Sequence, residues 1–271
     1  MEPGAATSGV LLVAKPAGVT SHDVVAGVRR RLGRGVKVGH AGTLDPFATG
    51  LLLVLVGRGT RAQRFLMALP KTYRVTARLG AVSTTGDRDG EITQTGRLPE
   101  RLAIPTGDML QRPPAYSAVK VDGERLYQRA RRGEGIEGEP RPVTVHRAEL
   151  LAHEGDLARF EIECSSGTYV RQLVAGLGDA YCEELERTRT GAFDLEDADP
   201  ERLVSLAEAL AFLPGRALDA EEAKLVSHGR DLAADDSGPV SSNVRLTHDG
   251  GLLAVYERRE DRLKALVVFA G

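Results

Sequence analysis

Six consecutive apolar residues, Leu51-Leu52-Leu53-Val54-Leu55-Val56, set the strongest limit on how this chain can fold. Successive strand side chains point to opposite faces, so a strand built from this run has to be buried on both. No apolar run approaches the roughly 20 residues a membrane helix needs. The run therefore predicts a central strand in the sheet of a water-soluble protein. Its neighbours agree. Residues 9–15 (GVLLVAK) have the composition of a short buried strand, ended by the turn signal Pro16-Ala17-Gly18. Residues 72–80 alternate, with Tyr73, Val75, Ala77 and Leu79 on one side, and predict a half-buried strand.

Between these strands, Ser21 is placed to cap a helix over 22–32. Val24, Val25, Val28 and Leu32 would share one face of it, Arg29, Arg30 and Arg31 its last turn, and Gly33 its stop. Residues 34–50 lack periodicity and read as a loop, and 60–69 fit a short helix. Residues 81–115 are turn-rich. A basic helical stretch at 124–132 precedes a Gly-, Pro- and Glu-rich segment at 133–142. Residues 143–150 and 158–165 predict paired strands, and 168–182 a helix with Val170, Leu173, Val174 and Leu177 inward. Pro214-Gly215 is a candidate boundary, followed by three short strands at 244–248, 252–259 and 263–269. Strands and helices interleave without a regular βαβ rhythm, which predicts an α+β fold on a mixed or antiparallel sheet.

Composition narrows the function. Two cysteines, Cys164 and Cys182, exclude a disulfide framework and a cysteine-rich zinc site, and no leader with a basic and then an apolar segment opens the chain. Both features predict a cytoplasmic protein. The six histidines show no metal-ligand spacing. Asp87-Arg88-Asp89-Gly90 resembles a calcium loop but lacks its Gly at position 6 and its Glu at position 12. The net charge of −2 hides an asymmetry: residues 1–80 hold 12 Lys and Arg against 3 Asp and Glu, whereas 181–271 hold 11 against 19. A basic first third points to an anionic partner, with nucleic acid the first candidate and a solvated basic face the alternative.

Within that third, Asp45 is the only acid between Asp23 and Asp87, in the loop Gly39-His-Ala-Gly-Thr-Leu-Asp-Pro-Phe-Ala-Thr-Gly50. Basic residues surround it at 29, 30, 31, 34, 37, 58, 61 and 64. Positive charge nearby favours the ionised carboxylate, leaving it available as nucleophile or base. A turn cap before Pro46 is an equal reading.

The loop, continued through Leu51-Leu52, resembles the catalytic signature of the TruB family of tRNA pseudouridine synthases. Further segments are similar to the family in the expected order. They are Lys15-Pro16-x-Gly18-x-Thr20-Ser21, Lys71-x-Tyr73, Thr85-x-Asp87-x-Asp89-Gly90, Pro113-Pro114-x-Tyr116-Ser117-Ala118-x-Lys120, Cys164-Ser165-x-Gly167-Thr168-Tyr169-x-Arg171 and Leu185-x-Arg187-Thr188. The similarity covers roughly 8–195; Glu186 departs from it, standing where a basic residue is common.

The resemblance implies a catalytic domain at 1–213, on a mixed, mostly antiparallel sheet with flanking helices. It implies an RNA-gripping insertion at about 120–145 and a small β-rich PUA-like module at 214–271. It implies isomerisation of uridine 55 in the T-loop of tRNA, with no cofactor, no metal and no guide RNA. Asp45 would be the catalytic carboxylate, Arg171 its bidentate partner, and Tyr73 the ring over the uracil near the C5 proton. Substrate and RNA contacts would come from His40, Gly42, Thr43, Tyr169, Leu185, Lys15, Arg129 and Arg132. His40 would fill the space the flipped base leaves, Leu185 would wall the uracil pocket, and Lys15 would support the loop from behind. The tRNA T-arm is the expected partner, nothing calls for a membrane, and nothing demands an oligomer. A tRNA-binding or folding factor that works without turnover is the alternative reading, with a guide-RNA-dependent relative a third.

Overall fold

The computed structural model describes residues 8–114, 120–121, 124–125, 132, 138–234, 239–240 and 242–269. Strand β1 (Gly9–Lys15) leads through Gly18, in the left-handed region at φ +81°, into helix α1 (Ser21–Leu32). The cap is Thr20, one residue earlier than the sequence suggests. Thr20 and Asp23 form a reciprocal capping box that satisfies two free backbone donors. This releases the Ser21 hydroxyl for a tertiary role. β2 (Val38–His40) is a short strand within the stretch read as loop, and it pairs with β3 (Thr49–Val56). A 3₁₀ turn (Gly57–Ala62) and α2 (Gln63–Ala68) then lead to β4 (Lys71–Leu79).

The small hairpin of β5 (Ala81–Ser83) and β6 (Ile92–Gln94) follows, then β7 (Gly107–Gln111) and the two-residue strands β8 (Lys120–Val121) and β9 (Glu124–Arg125). β10 (Arg141–Glu154) and β11 (Leu157–Cys164) form a long hairpin. The helix expected over 168–182 is one short element, α3 (Val170–Ala175). Gly178 at φ +129° ends that region, and β12 (Ala180–Thr190) takes up the remainder. Val170, Leu173 and Val174 are buried on α3 and Leu177 packs on the same cluster, as the spacing predicts, and only residues 180–182 of the expected helix join the strand paired with β4. β13 (Phe193–Asp194), β14 (Leu203–Val204) and α4 (Leu206–Ala209) close the first part of the chain.

The main sheet runs β14-β1-β3-β12-β4-β11-β10-β7, with β2 on β3 and β13 on β12. Every pairing is antiparallel except β3 with β12, which join in parallel at Glu186 to Thr49 and Arg187 to Gly50. β3 is covered on both faces. Leu51, Leu53 and Leu55 pack with Phe65 and Leu66 of the α2 region, and Leu52, Val54 and Val56 pack with Val25 and Val28 of α1. Each buried leucine contributes about 1.5–3 kcal/mol, which holds this strand at the centre. β4 is more buried than alternation predicts, because Thr72 and Thr76 are covered as well as Tyr73 and Val75.

The C-terminal segment forms a second sheet. Its order is β15 (Gly215–Ala217), β17 (Asn243–His248), β18 (Gly251–Arg259), β19 (Arg262–Val268) and β16 (Leu232–Ala233). Helix α5 (Ala220–Ser227) packs on it through Ala223 and Val226. Val255 and Phe269 reach into the same cluster as Leu66 and Leu210, so this sheet is anchored to the first. No helix among the described residues is long and apolar enough to cross a membrane.

Candidate active site

The loop before β3 is clamped from behind. Lys15, 1% exposed, donates from Nζ to the carbonyls of Pro16 (2.9 Å), Val19 (2.8 Å) and Pro46 (3.2 Å). Ser21 Oγ accepts from the Leu44 amide at 2.9 Å and donates to the Leu44 carbonyl at 3.2 Å. The Gly18 amide donates to Pro46 O at 2.8 Å. These contacts fix the backbone on either side of Asp45, and its side chain is left 35% exposed.

Arg171 comes from the first turn of α3. That turn is held in place by Tyr169, whose amide donates to Gln111 Oε1 (2.7 Å) and whose carbonyl accepts from Gln111 Nε2 (3.0 Å). The guanidinium, 4% exposed, does not make the expected bidentate pair with one carboxylate. Nε meets Asp45 Oδ2 at 2.9 Å, and Nη1 meets Asp87 Oδ2 at 3.0 Å and the Thr85 carbonyl at 2.6 Å. Asp87 is buried and receives the Thr85 hydroxyl (2.6 Å) and the Asp89 amide (3.1 Å). Reading of the residues gave Asp87 no role. The Thr85-x-Asp87-x-Asp89-Gly90 pattern was the available signal, and its partner lies 84 residues away. Burial raises the Asp45 carboxyl above the usual range against the pull of Arg171, with Asp87 adding to the rise and Lys15 opposing it.

A second group gathers beside the first. Tyr73 on β4 lies directly across from Arg187 on β12. Arg187 is 1% exposed and donates to the carbonyls of Leu51 (2.7 Å) and Gly42 (3.1 Å). Gly42 sits at φ +101°, where only glycine is unstrained. Burial pushes the Tyr73 hydroxyl up and the His40 imidazole down, the latter helped by the neighbouring Arg187 charge. His40 Nδ1 is buried without a hydrogen-bond partner, and its carbonyl accepts from Gln63. Thr43 is exposed. Leu185 is buried against Phe47 and Val75, and these three line a cavity of about 320 Å³. Arg74, Arg88, Arg159, Glu184 and Glu186 also line it, so Glu186 faces the same space as three arginines.

Arg132 pairs with Glu124, and Arg129 lies outside the described residues. Much of the expected insertion and the basic helical stretch is likewise outside them. Four arginines of the basic first third also make contacts within the chain. Arg29 donates to Val38 O, Arg31 pairs with Glu201, and Arg58 and Arg61 donate to the carbonyls of Phe269 and Val268.

Residues 29–170 match the TruB family pseudouridylate synthase (N terminal domain). A protein of Corynebacterium aurimucosum named tRNA pseudouridine synthase B is 40% identical, over 96% of each chain. One of the same name from Thermobifida fusca is 42% identical, over 97% of this chain and 99% of its own. Among solved structures, a chain of a Cbf5-Nop10-Gar1 complex superposes with TM-score 0.71 at 25% identity, covering 96% of this chain and 84% of that one. The fold is that of the pseudouridine synthases, with a curled C-terminal β sheet of the PUA-like kind. Within that class, the chain belongs to the TruB family.

Proposed function

We propose that this chain is a tRNA pseudouridine synthase that isomerises uridine 55 of the T-loop, acting alone in the cytoplasm as a monomer without guide RNA or cofactor. The observation that carries the reading is the partly exposed Asp45 carboxylate, paired with the buried Arg171 guanidinium. The relatives named tRNA pseudouridine synthase B support tRNA as the substrate. Residues 1–213 act as the catalytic domain and 214–271 as the PUA-like module.

The reaction breaks the N1–C1′ bond, turns the uracil, and joins C5 to C1′. C5 then loses a proton and N1 gains one, so no group enters or leaves. Asp45 acts on the sugar or ring, and Arg171 fixes its orientation. Tyr73 lies over the base near C5, with Leu185 walling the pocket. Flipping the base out of its stack costs a few kcal/mol. The neutral, flat imidazole of His40, beside Gly42 and Thr43, offsets part of that by stacking in the vacated space, worth about 1–3 kcal/mol. Tyr169 contributes a further substrate or RNA contact, and Lys15 keeps the loop in place.

A T-arm stem-loop carrying tritium at uracil C5 tests this. The wild type should release tritium, and Asp45→Ala should bind the RNA but lose at least about 10³-fold in rate. A wild type that binds the stem-loop or whole tRNA and releases nothing would leave a tRNA-binding factor in place of an enzyme.

A further inference from the structure

Gln111 is the last residue of β7, in a stretch that the sequence reads only as turn-rich. Met109 and Gln111 are two residues apart and so share one face of that strand. Met109 packs on the cluster that holds Val170, Leu173 and Val174 of α3. Gln111 is buried, and its side chain reaches past the strand ladder to the start of the helix. Oε1 accepts from the Tyr169 amide at 2.7 Å, and Nε2 donates to the Tyr169 carbonyl at 3.0 Å. A carboxamide presents an acceptor and a donor side by side, as a neighbouring strand would. One backbone residue is thus gripped at two points, which fixes its orientation as well as its position.

Satisfying polar groups does not account for this pair of bonds. Tyr169 is the N-cap of α3, and its carbonyl already accepts from the amides of Gln172 (3.1 Å) and Leu173 (3.4 Å). Holding the helix on the sheet does not account for it either, because Val170, Leu173 and Val174 are buried there. Apolar packing is non-directional, so it resists separation more than sliding along the helix axis. The chemistry of the site needs that axis fixed. Arg171, two residues beyond Tyr169, sets Nε on Asp45 at 2.9 Å and Nη1 on Asp87 at 3.0 Å, two acids from separate loops. The helix has six residues and no side-chain cap at its start, too little to keep its first turn rigid by itself.

We propose that Gln111 is a positioning residue for the isomerisation, pinning the first turn of α3 so that the Arg171 guanidinium meets Asp45 and Asp87 together. It acts through Tyr169 and the helix backbone. The proposal rests on the reading of Asp45 and Arg171 given above. A leucine at this position has neither the donor nor the acceptor, and an asparagine has both but is one methylene short. The charged groups that face Asp45 besides Arg171 are Asp87 and Lys15. With the turn released, the pull of Arg171 on the Asp45 carboxyl weakens while its burial and the other two charges stay. The carboxyl then takes up its proton at higher pH than in the wild type.

Single-turnover tritium release at saturating stem-loop, followed across pH, tests it in Gln111→Leu. Val143→Ala serves as a packing control, since Val143 is buried on β10 opposite Met109 of β7. Gln111→Leu should slow release by about 10²-fold, as a misplacement of about 1 Å does, and the acid limb of its rate should move to higher pH. Gln111→Asn should show both changes to a smaller extent. Val143→Ala should lower the urea midpoint and keep the wild-type rate and acid limb. A folded Gln111→Leu that matches the wild-type rate overturns the proposal. So does one that is slow but keeps the wild-type acid limb, because Arg171 has then kept its hold on Asp45. A slow Val143→Ala with the same shifted limb also overturns it, by assigning both effects to loss of packing at the sheet edge. Should Gln111→Leu not fold, Gln111→Asn carries the same decision. A wild type without tritium release overturns the functional reading itself, a different result from a variant that matches an active wild type.

Discussion

Arg171 divides one guanidinium between Asp45 and Asp87, so removing either acid unbalances a buried charge. Asp87→Asn should destabilise the fold by about 3 kcal/mol in urea unfolding, the cost of breaking a buried pair. It should also slow tritium release while leaving Asp45 in place. The raised Asp45 carboxyl sets a sign for activity. On acidification it takes up a proton at higher pH than a free aspartate, so the acid limb of the rate should lie above pH 3.8, and a limb at or below that value would contradict the geometry.

Lys71 sets another. It is buried, its Nζ donates to the carbonyls of Met67 and Leu69, and burial lowers its pKa to about 8 from 10.5. Between those values the folded chain binds fewer protons than the unfolded one, so this group adds stability as pH rises. The gain should be on the order of 1 kcal/mol by pH 9 and absent from Lys71→Met in parallel denaturant titrations. Asp45 was legible because a lone acid in a basic, glycine-rich loop stands out, and Arg171 because its motif resembles a known one. Arg187 lies in a quoted motif too, but its burial was not legible: alternating charges in 183–189 have the pattern of a solvated strand edge, and it is covered by pairing with both β3 and β4.

Among the elements, β3 was readable because an unbroken apolar run admits few placements. The start of β12 was not: the inward face of Val170, Leu173, Val174 and Leu177 is helical as read, but where the chain leaves it for a strand depends on pairing with β4, about a hundred residues earlier. Ser21 was misassigned as a cap for a similar reason. Thr20 and Ser21 are chemically alike, and what separates them is the Leu44 backbone that Ser21 holds. The β3–β12 join gives a sharp test. Gly50→Ala sets a methyl 2.3 Å from a backbone oxygen at φ +107° and should cost more than about 3 kcal/mol. Gly18→Ala, with φ +81° and nothing within 4 Å, should cost only about 1 kcal/mol. Equal losses in urea unfolding would remove the case for a special close approach at Gly50.

At the scale of the whole molecule, the C-terminal sheet shares the Leu66–Leu210 cluster and receives hydrogen bonds from Arg58 and Arg61 on its last carbonyls. Calorimetry should therefore show one unfolding transition for the full chain. A chain ending at residue 213 should aggregate through the uncovered apolar face. The α+β class and the C-terminal strands were legible from patterning, but this docking was not, because it joins arginines of the basic first third to backbone oxygens more than 200 residues later.

The parallel join also bears on when the protein becomes active during synthesis. Arg187 closes contacts to Leu51 and Gly42 across 136 and 145 residues of chain. Contacts so distant in sequence form late and slowly. A nascent chain on the ribosome can fold α1 onto β3 well before α3 and β12 have emerged, yet it then lacks Arg171 and Arg187. On the proposed role of Arg171, a nascent chain should therefore release no tritium from the T-arm until well over half of its length has been made.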